Sequence, residues 1–385
     1  MPTLSSLLFP VPNHPAKRRG REFMPESGMR EITYAQAIRE GLDQAMEQDA
    51  NVIVIGEGVP DPKAIFNTTA ELREKYGARR VFDMPLSENG VTGVCIGAAL
   101  SGMRPVMIHQ RIDFALLAMD QLVNNAAKWH YMFDGKASVP LVVRVIVGRG
   151  WGQGPQHSQS LQAMFSLVPG LKVIMPTTAH DAKGMLISAI EDNNPVMFIE
   201  HRWLHQIKDT VPETYYRVPL GQSKVLHEGD TVTVAAFSHM AVEALIAAKA
   251  LMSVMGIAIE VLDMRSVSPL DVASVLRSVR KTGRLIVADT AFRTGSVAGE
   301  LITQVVEQAF SALKLPPARI ALPDHPMPTS PFMAEHYYPG PETIVAAVAD
   351  MLGIDKNSDA YIKLTGLLVR EGPHDTPNPG FTGPF

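Results

Sequence analysis

Short apolar runs, each followed by a stretch with helical spacing, organise most of the chain. "NVIVIG" (51–56), "RPVMIH" (104–109), "VPLVVRVIV" (139–147), "LKVIMP" (171–176) and "PVMFIE" (195–200) are apolar at consecutive rather than alternating positions. That is the pattern of strands covered on both faces. Residues 32–50 ("ITYAQAIREGLDQAMEQDA") precede the first run, 88–102, 115–133 and 179–192 lie between the others, and all carry helical periodicity. Strands alternating with helices predict an α/β fold with a mostly parallel sheet. The pattern breaks from about 202 to 220, where two prolines fall, and then resumes. Strands are predicted at 231–237, 257–264 and 284–289, with helices at 240–255, 270–281 and 296–312. The chain therefore reads as an extended arm (1–30), a first α/β domain (31–205), a linker (206–220), a second α/β domain (221–353) and a tail rich in Pro, Gly and polar residues (354–385).

Composition narrows what such a chain does. At 385 residues it is too long for one ordinary core, in line with two domains. Apolar residues are 46% and charged residues 19%, the latter below the usual share of about 25%, which favours large buried interfaces. The net charge is −4, and only Lys17–Arg19 with Arg21 form a basic cluster, which argues against nucleic-acid or acidic-membrane partners. Cys95 is the sole cysteine, so neither an intrachain disulfide nor a cysteine metal site exists. No apolar run approaches the roughly 18 residues of a membrane span, and the start lacks the order of a signal sequence, so a cytoplasmic location is expected.

Three polar or aromatic positions stand out because each follows the end of a strand. Open α/β sheets place their sites at that edge. Glu88 opens "ENGVTGVCIGAALS", where Ser87 is placed to cap a helix and Gly90, Gly93, Gly97 and Ser101 form a small-residue stripe. Phe114 follows the strand at 104–109, and His157 follows the one at 139–147. On the residues alone, Glu88 is either a first-turn anion favoured by the helix dipole or an acid–base group. The other histidines show no metal-ligand spacing.

The blocks "ITYAQAIREGL", "VIVIGEGV", "RRVFDMPLSENGVTGVCIGAALSGMRPV", "MDQLVNNAAKWHYM", "QHSQS", "PGLKVIMPTTAHDAKGMLISAIEDNNPVMFIEH" and "MRSVSPLD" run in order from about 31 to 353. Together they resemble the β subunit of the thiamine-diphosphate-dependent component of 2-oxo acid dehydrogenase complexes (pyruvate, branched-chain oxo acid and acetoin types). The resemblance implies a thiamine pyrimidine-binding domain followed by a transketolase C-terminal-like domain. It implies that Glu88 bonds the aminopyrimidine ring of thiamine diphosphate, that Phe114 lies beside that ring, and that Leu86 and Gln110 flank it. It implies that His157 works near the acyl group during transfer to a lipoyl arm. It further implies a structural monovalent cation, such as K⁺, held by Asp192 and Asn194 with carbonyls near Leu141 and Ala189; the same residues also read as a helix end and a turn. The Gly-Asp-Gly motif that grips the diphosphate and its Mg²⁺ is missing: "EGDT" (228–231) and "FDGK" (133–136) do not supply it. A partner α subunit is expected to carry it, in an α2β2 assembly that decarboxylates a small 2-oxo acid, with a lipoyl acyltransferase as a further partner. The loop "GRGWGQGPQ" before His157, with Trp151 and Gln156, departs from the family pattern. Two other readings stay open: a thiamine-dependent carboligase acting on a carbonyl acceptor, and a non-catalytic scaffold subunit.

Overall fold

The computed structural model describes residues 28–61, 63–148, 153–334 and 336–369. The first half runs β1 (Met29–Thr33), α1 (Tyr34–Gln48), β2 (Val52–Gly56), β3 (Val81–Phe82), α2 (Glu88–Leu100), β4 (Arg104–His109), β5 (Val142–Val147), β6 (Lys172–Ile174), α3 (Ala179–Glu191), β7 (Val196–His201) and β8 (Lys208–Pro212). The second half runs β9 (Lys224–His227), β10 (Thr233–Ala236), α4 (His239–Met255), β11 (Glu260–Asp263), β12 (Ser266–Ser268), α5 (Val272–Thr282), β13 (Leu285–Phe292), α6 (Val297–Ala309), β14 (Ala318–Leu322), α7 (Pro341–Leu352) and α8 (Asp359–Leu367). Shorter helical turns fill several connections.

Two sheets carry the fold. A seven-stranded sheet has the order β12-β6-β7-β5-β4-β2-β3, and all its pairings are parallel except β12 with β6. A five-stranded sheet has the order β14-β13-β10-β11-β9, parallel except for the edge strand β9. The central strands β2, β5 and β7 are buried at every residue, as their unbroken apolar runs require. One face of the larger sheet packs on α1 and α3 through Ile38, Leu42, Met185 and Leu186. The other face shares an apolar cluster with the second half, in which Met197 and Ile199 join Leu262, Val275 and Leu301. The two halves are thus joined by a common core.

The α1/α3 face also encloses a charged group. Arg144 of β5 and Glu200 of β7 are fully buried and pair at 2.6 Å. His205 Nε2 reaches the second Glu200 oxygen at 3.1 Å, and Arg144 donates to Thr68 Oγ1 at 3.0 Å. Burial disfavours the Glu200 anion, but Arg144 and the His205 bond outweigh it and hold the carboxyl below its ordinary range.

Several connections depart from the sequence expectation. The predicted helix 115–133 is a succession: an α-turn at Ile112–Ala115, a 3₁₀ turn at Leu116–Ala118, a π segment at Gln121–Ala126 and an α-helix at Ala127–Met132. The predicted linker contains β8, which pairs antiparallel with β1, Met29 facing Pro212. That pairing joins residues far apart in sequence, so local pattern does not report it. β1 also takes in Met29 and Arg30 from the predicted arm, whose residues 1–27 lie outside the described region. Part of the predicted tail is ordered as α8, capped by Ser358 and anchored by the buried Leu364 against α4; residues 370–385 lie outside the described region. Ser87 stands at the N-cap of α2, but its side chain makes no capping bond. Among the described residues no helix is long and apolar enough to cross a membrane.

Candidate active site

The candidate site residues follow the C-terminal ends of four neighbouring parallel strands, β3, β2, β4 and β5. Glu88 is the first residue of α2, which follows β3; its side chain packs inward and the residue is only 7% exposed. Its carbonyl accepts from Thr92 Oγ1 at 2.7 Å, and Thr92 in turn touches Met107 of β4, so the start of α2 is seated on the sheet. Beside it lies Glu57, at the end of β2. Burial, then the charges of Glu88 and Asp83, push the Glu57 carboxyl above its ordinary range. Glu57 Oε1 is buried without a hydrogen-bond partner among the described residues. Gln110, just past β4, donates to the Glu57 carbonyl at 3.4 Å. Glu88 and Gln110 are thus both neighbours of Glu57 at this edge of the sheet.

A second group of candidates comes from the turn Ile112–Ala115 and the loop after β5. The rings of Phe114 and His157 lie 5.4 Å apart, inclined at 37°. His157 Nδ1 lies 2.9 Å from Asp113 Oδ2. Leu86, at the other side of Glu88, is 84% exposed. Residues 149–152, which include Trp151 of the departing loop, lie outside the described region.

The loop that carries His157 is tied to the second half of the chain. Ser160 Oγ lies 2.8 Å from Thr290 Oγ1, and Gln162 Nε2 donates to Asp289 Oδ1 at 2.6 Å. All four residues are buried. Burial pushes the Asp289 carboxyl up, against the Gln162 bond and backbone N–H groups that lower it. His109, at the end of β4, is buried and held neutral; desolvation brings it down to about 4. Cys95 lies in the core, where burial pushes its thiol up to about 12 and leaves it a packing residue.

The proposed cation ligands lie elsewhere, around the end of α3. Lys172 Nζ takes Asp192 Oδ2, and the Asn194 N–H takes Asp192 Oδ1 at 2.9 Å. The Leu141 carbonyl accepts from Val196 N at 2.9 Å and the Ala189 carbonyl from Asp192 N at 3.3 Å. An ammonium already neutralises Asp192, and the backbone oxygens serve the sheet and the helix end. These contacts are those of a helix end followed by a turn, and each carbonyl keeps a second lone pair. Among the described residues no group of three or more His, Cys, Asp or Glu side chains is placed to hold a metal ion.

Comparison with known proteins decides the family. The transketolase pyrimidine-binding domain family matches residues 30–206, and the transketolase C-terminal domain family matches residues 221–344. The chain is 40% identical over 336 residues to the β subunit of the acetoin:2,6-dichlorophenolindophenol oxidoreductase of Bacillus subtilis, covering 84% of this chain and 98% of that one. It is 40% identical over 325 residues to the mitochondrial pyruvate dehydrogenase E1 component subunit β-1 of Arabidopsis thaliana, covering 83% and 89%. The chain belongs to the E1 β-subunit family of 2-oxo acid dehydrogenases. A solved split-gene transketolase, an inactive β4 tetramer, shares the fold of this E1 β-type chain with a TM-score of 0.68 at 22% identity, covering 84% of this chain and 99% of that one. The family depends on thiamine diphosphate and works with an α subunit. The residues present suit such a ligand: a buried carboxylate at a helix start, an aromatic face, an unsatisfied carboxyl oxygen on Glu57, and an apolar rim at Leu86 open to a second chain.

Sequence reading missed two neighbours of these candidates. Glu57 was visible as the polar stop of "VIVIGEG", but nothing local marks it as a neighbour of Glu88. Asp113 was passed over for the aromatic beside it, since its contact lies 44 positions away.

Proposed function

We propose that this chain supplies the pyrimidine half of a thiamine-diphosphate site shared with an α subunit in an α2β2 enzyme that decarboxylates a 2-oxo acid and passes the acyl unit to a lipoyl group. The observation that carries this reading is the alignment with the E1 β subunit and acetoin oxidoreductase β subunit over nearly the whole of their lengths. When bound, thiamine diphosphate supplies the nucleophilic carbon and the electron sink for decarboxylation. Glu88 holds a ring nitrogen of the pyrimidine and moves a proton there. Phe114 lies against the ring, with Leu86 and Gln110 at its edges. His157 serves the acyl acceptor. The diphosphate and its Mg²⁺ fall to the α subunit, because this chain lacks the Gly-Asp-Gly motif.

The exposed apolar surface supports the shared site. Leu86, Val94 of α2 and Leu117 are largely exposed, and α2 is open at Gly97, where a built side chain meets no described atom within 4 Å beyond its own helix. Such a face is suited to a second subunit. The test is co-purification of the native complex, followed by a screen of 2-oxo acids with an artificial electron acceptor. Oxo-acid-dependent dye reduction without an aldehyde acceptor is expected. A requirement for an aldehyde or ketone acceptor would replace this reading with that of a carboligase.

A further inference from the structure

The imidazole of His157 is gripped by one short turn of the chain. Asp113 and Phe114 are consecutive residues of Ile112–Ala115. One meets Nδ1 at 2.9 Å and the other meets the ring face at 5.4 Å. The Asp113 side chain is 14% exposed, whereas that of His157 is 42% exposed. Asp113 Oδ1 is buried without a partner among the described residues, so the carboxylate has no other hydrogen-bonded task. Arg111, two residues earlier, is buried and feels the Asp113 charge, while its guanidinium donates to the Gly148 carbonyl at 3.4 Å. With Nδ1 occupied, Nε2 is the ring atom left for chemistry, and it lies on the exposed side chain of a strand-end loop.

We propose that Asp113 is a positioning residue for His157: it accepts the Nδ1–H, fixes ring orientation and tautomer, and so presents Nε2 to the acyl acceptor. A carboxylate on Nδ1 orients an imidazole in the same way in other acid–base sites. With a cyclic disulfide as acceptor, a carbon–sulfur bond forms and the sulfur–sulfur bond breaks. The released sulfur takes the Nε2 proton, and the disulfide is the oxidant. The ring is left neutral with Nδ1–H still on Asp113. This assignment rests on the reading of His157 as the residue that serves the acceptor.

The test compares Asp113→Asn, Asp113→Glu, His157→Gln and the Asp113→Asn/His157→Gln double variant in the assembled complex. Each is assayed by 2-oxo-acid-dependent dye reduction and by acyl transfer to oxidised lipoamide. Asp113→Asn is expected to lower kcat for lipoamide by roughly 10–10³-fold, the range of a misdirected acid–base group, with KM for the oxo acid and dye reduction little changed. Asp113→Glu should recover much of the loss, and the double variant should be no worse than His157→Gln alone. Three results overturn the assignment: multiplicative losses in the double variant, full lipoamide activity in Asp113→Asn beside an impaired His157→Gln, or equal loss in both assays. A His157→Gln enzyme with parental activity in both assays would instead remove the reading of His157 on which the assignment rests.

Discussion

Glu88 combines two properties that separate cleanly by substitution. It is a first-turn carboxylate on α2, where the helix dipole favours an anion by about 0.3–1 kcal/mol. It is also buried beside a second carboxyl, Glu57, whose proton it helps to retain. Glu88→Gln preserves size and one hydrogen bond but exchanges no proton. We expect stability to change by less than about 1 kcal/mol while oxo-acid turnover falls by about 10²–10⁴-fold. The decisive measurement is hydrogen–deuterium exchange at the cofactor's thiazolium carbon in the assembled complex. Unslowed exchange with the cofactor bound would leave Glu88 as a helix-start residue only. At this scale the sequence is legible where a residue follows a strand, and the structure places Glu88, Phe114 and His157 after β3, β4 and β5 as the pattern predicts. The sequence is silent on Asp113 and Glu57, because their neighbours come from other segments and no spacing rule encodes them.

At the scale of elements, α2 shows how a helix is read correctly for an incomplete reason. Its predicted span, 88–102, differs from Glu88–Leu100 by two residues. Ser87 was expected to close its N-terminus, yet a side chain built at Gly90 would lie 2.8 Å from Ser87 Oγ, so the serine sits over the first turn without capping it. The stripe of glycines weakens the helix by about 0.8–1 kcal/mol per residue relative to alanine. Gly97 is exposed, and a side chain built there meets no atom within 4 Å beyond its own helix backbone, so packing among the described residues does not explain its presence. Gly97→Leu should therefore leave the isolated chain equally or more stable, its Tm unchanged or raised, because leucine is the better helix former. The same change should block assembly with the α subunit, since a close-packed backbone contact has no room for it. Size-exclusion chromatography with light scattering checks this, and unimpaired α2β2 formation by the variant would refute the role of the stripe. The neighbouring stretch 115–133 was less legible: helical periodicity is present, but the chain passes through 3₁₀ and π turns. Asn124 and Asn125 donate to Asp120 and Gln121 side chains along the π segment, and a windowed apolar pattern does not register such local bonding.

Across the whole molecule, the two α/β halves were legible as two alternating series, but the way they join was not. β12 follows the second series in sequence and pairs with β6 of the first sheet. A shared apolar cluster and buried polar contacts complete the junction: Gln162 to Asp289, and Thr177 to Asp263. Asp263 is fully buried at the end of β11. Thr177 Oγ1 and the Arg265 N–H both donate to its Oδ1, at 2.9 and 3.1 Å, while Oδ2 has no partner among the described residues. Across the junction it faces Asp181 of α3 and the buried phenol of Tyr34, with Arg265 as the compensating cation. Burial first, and then the charge of Asp181, push the Asp263 carboxyl up to about 7. The unfolded chain releases the same proton near pH 4, so between about 4 and 7 the folded state holds the extra proton. Stability contributed by this group therefore falls as pH rises through that window, by up to about 4 kcal/mol for a shift of this size. Asp263→Asn keeps the Oδ1 acceptor and removes the titration. The variant should gain stability over the parent at pH 8 relative to pH 5, seen as a smaller drop in urea midpoint between the two values. Identical drops in parent and variant would place the proton elsewhere in the junction.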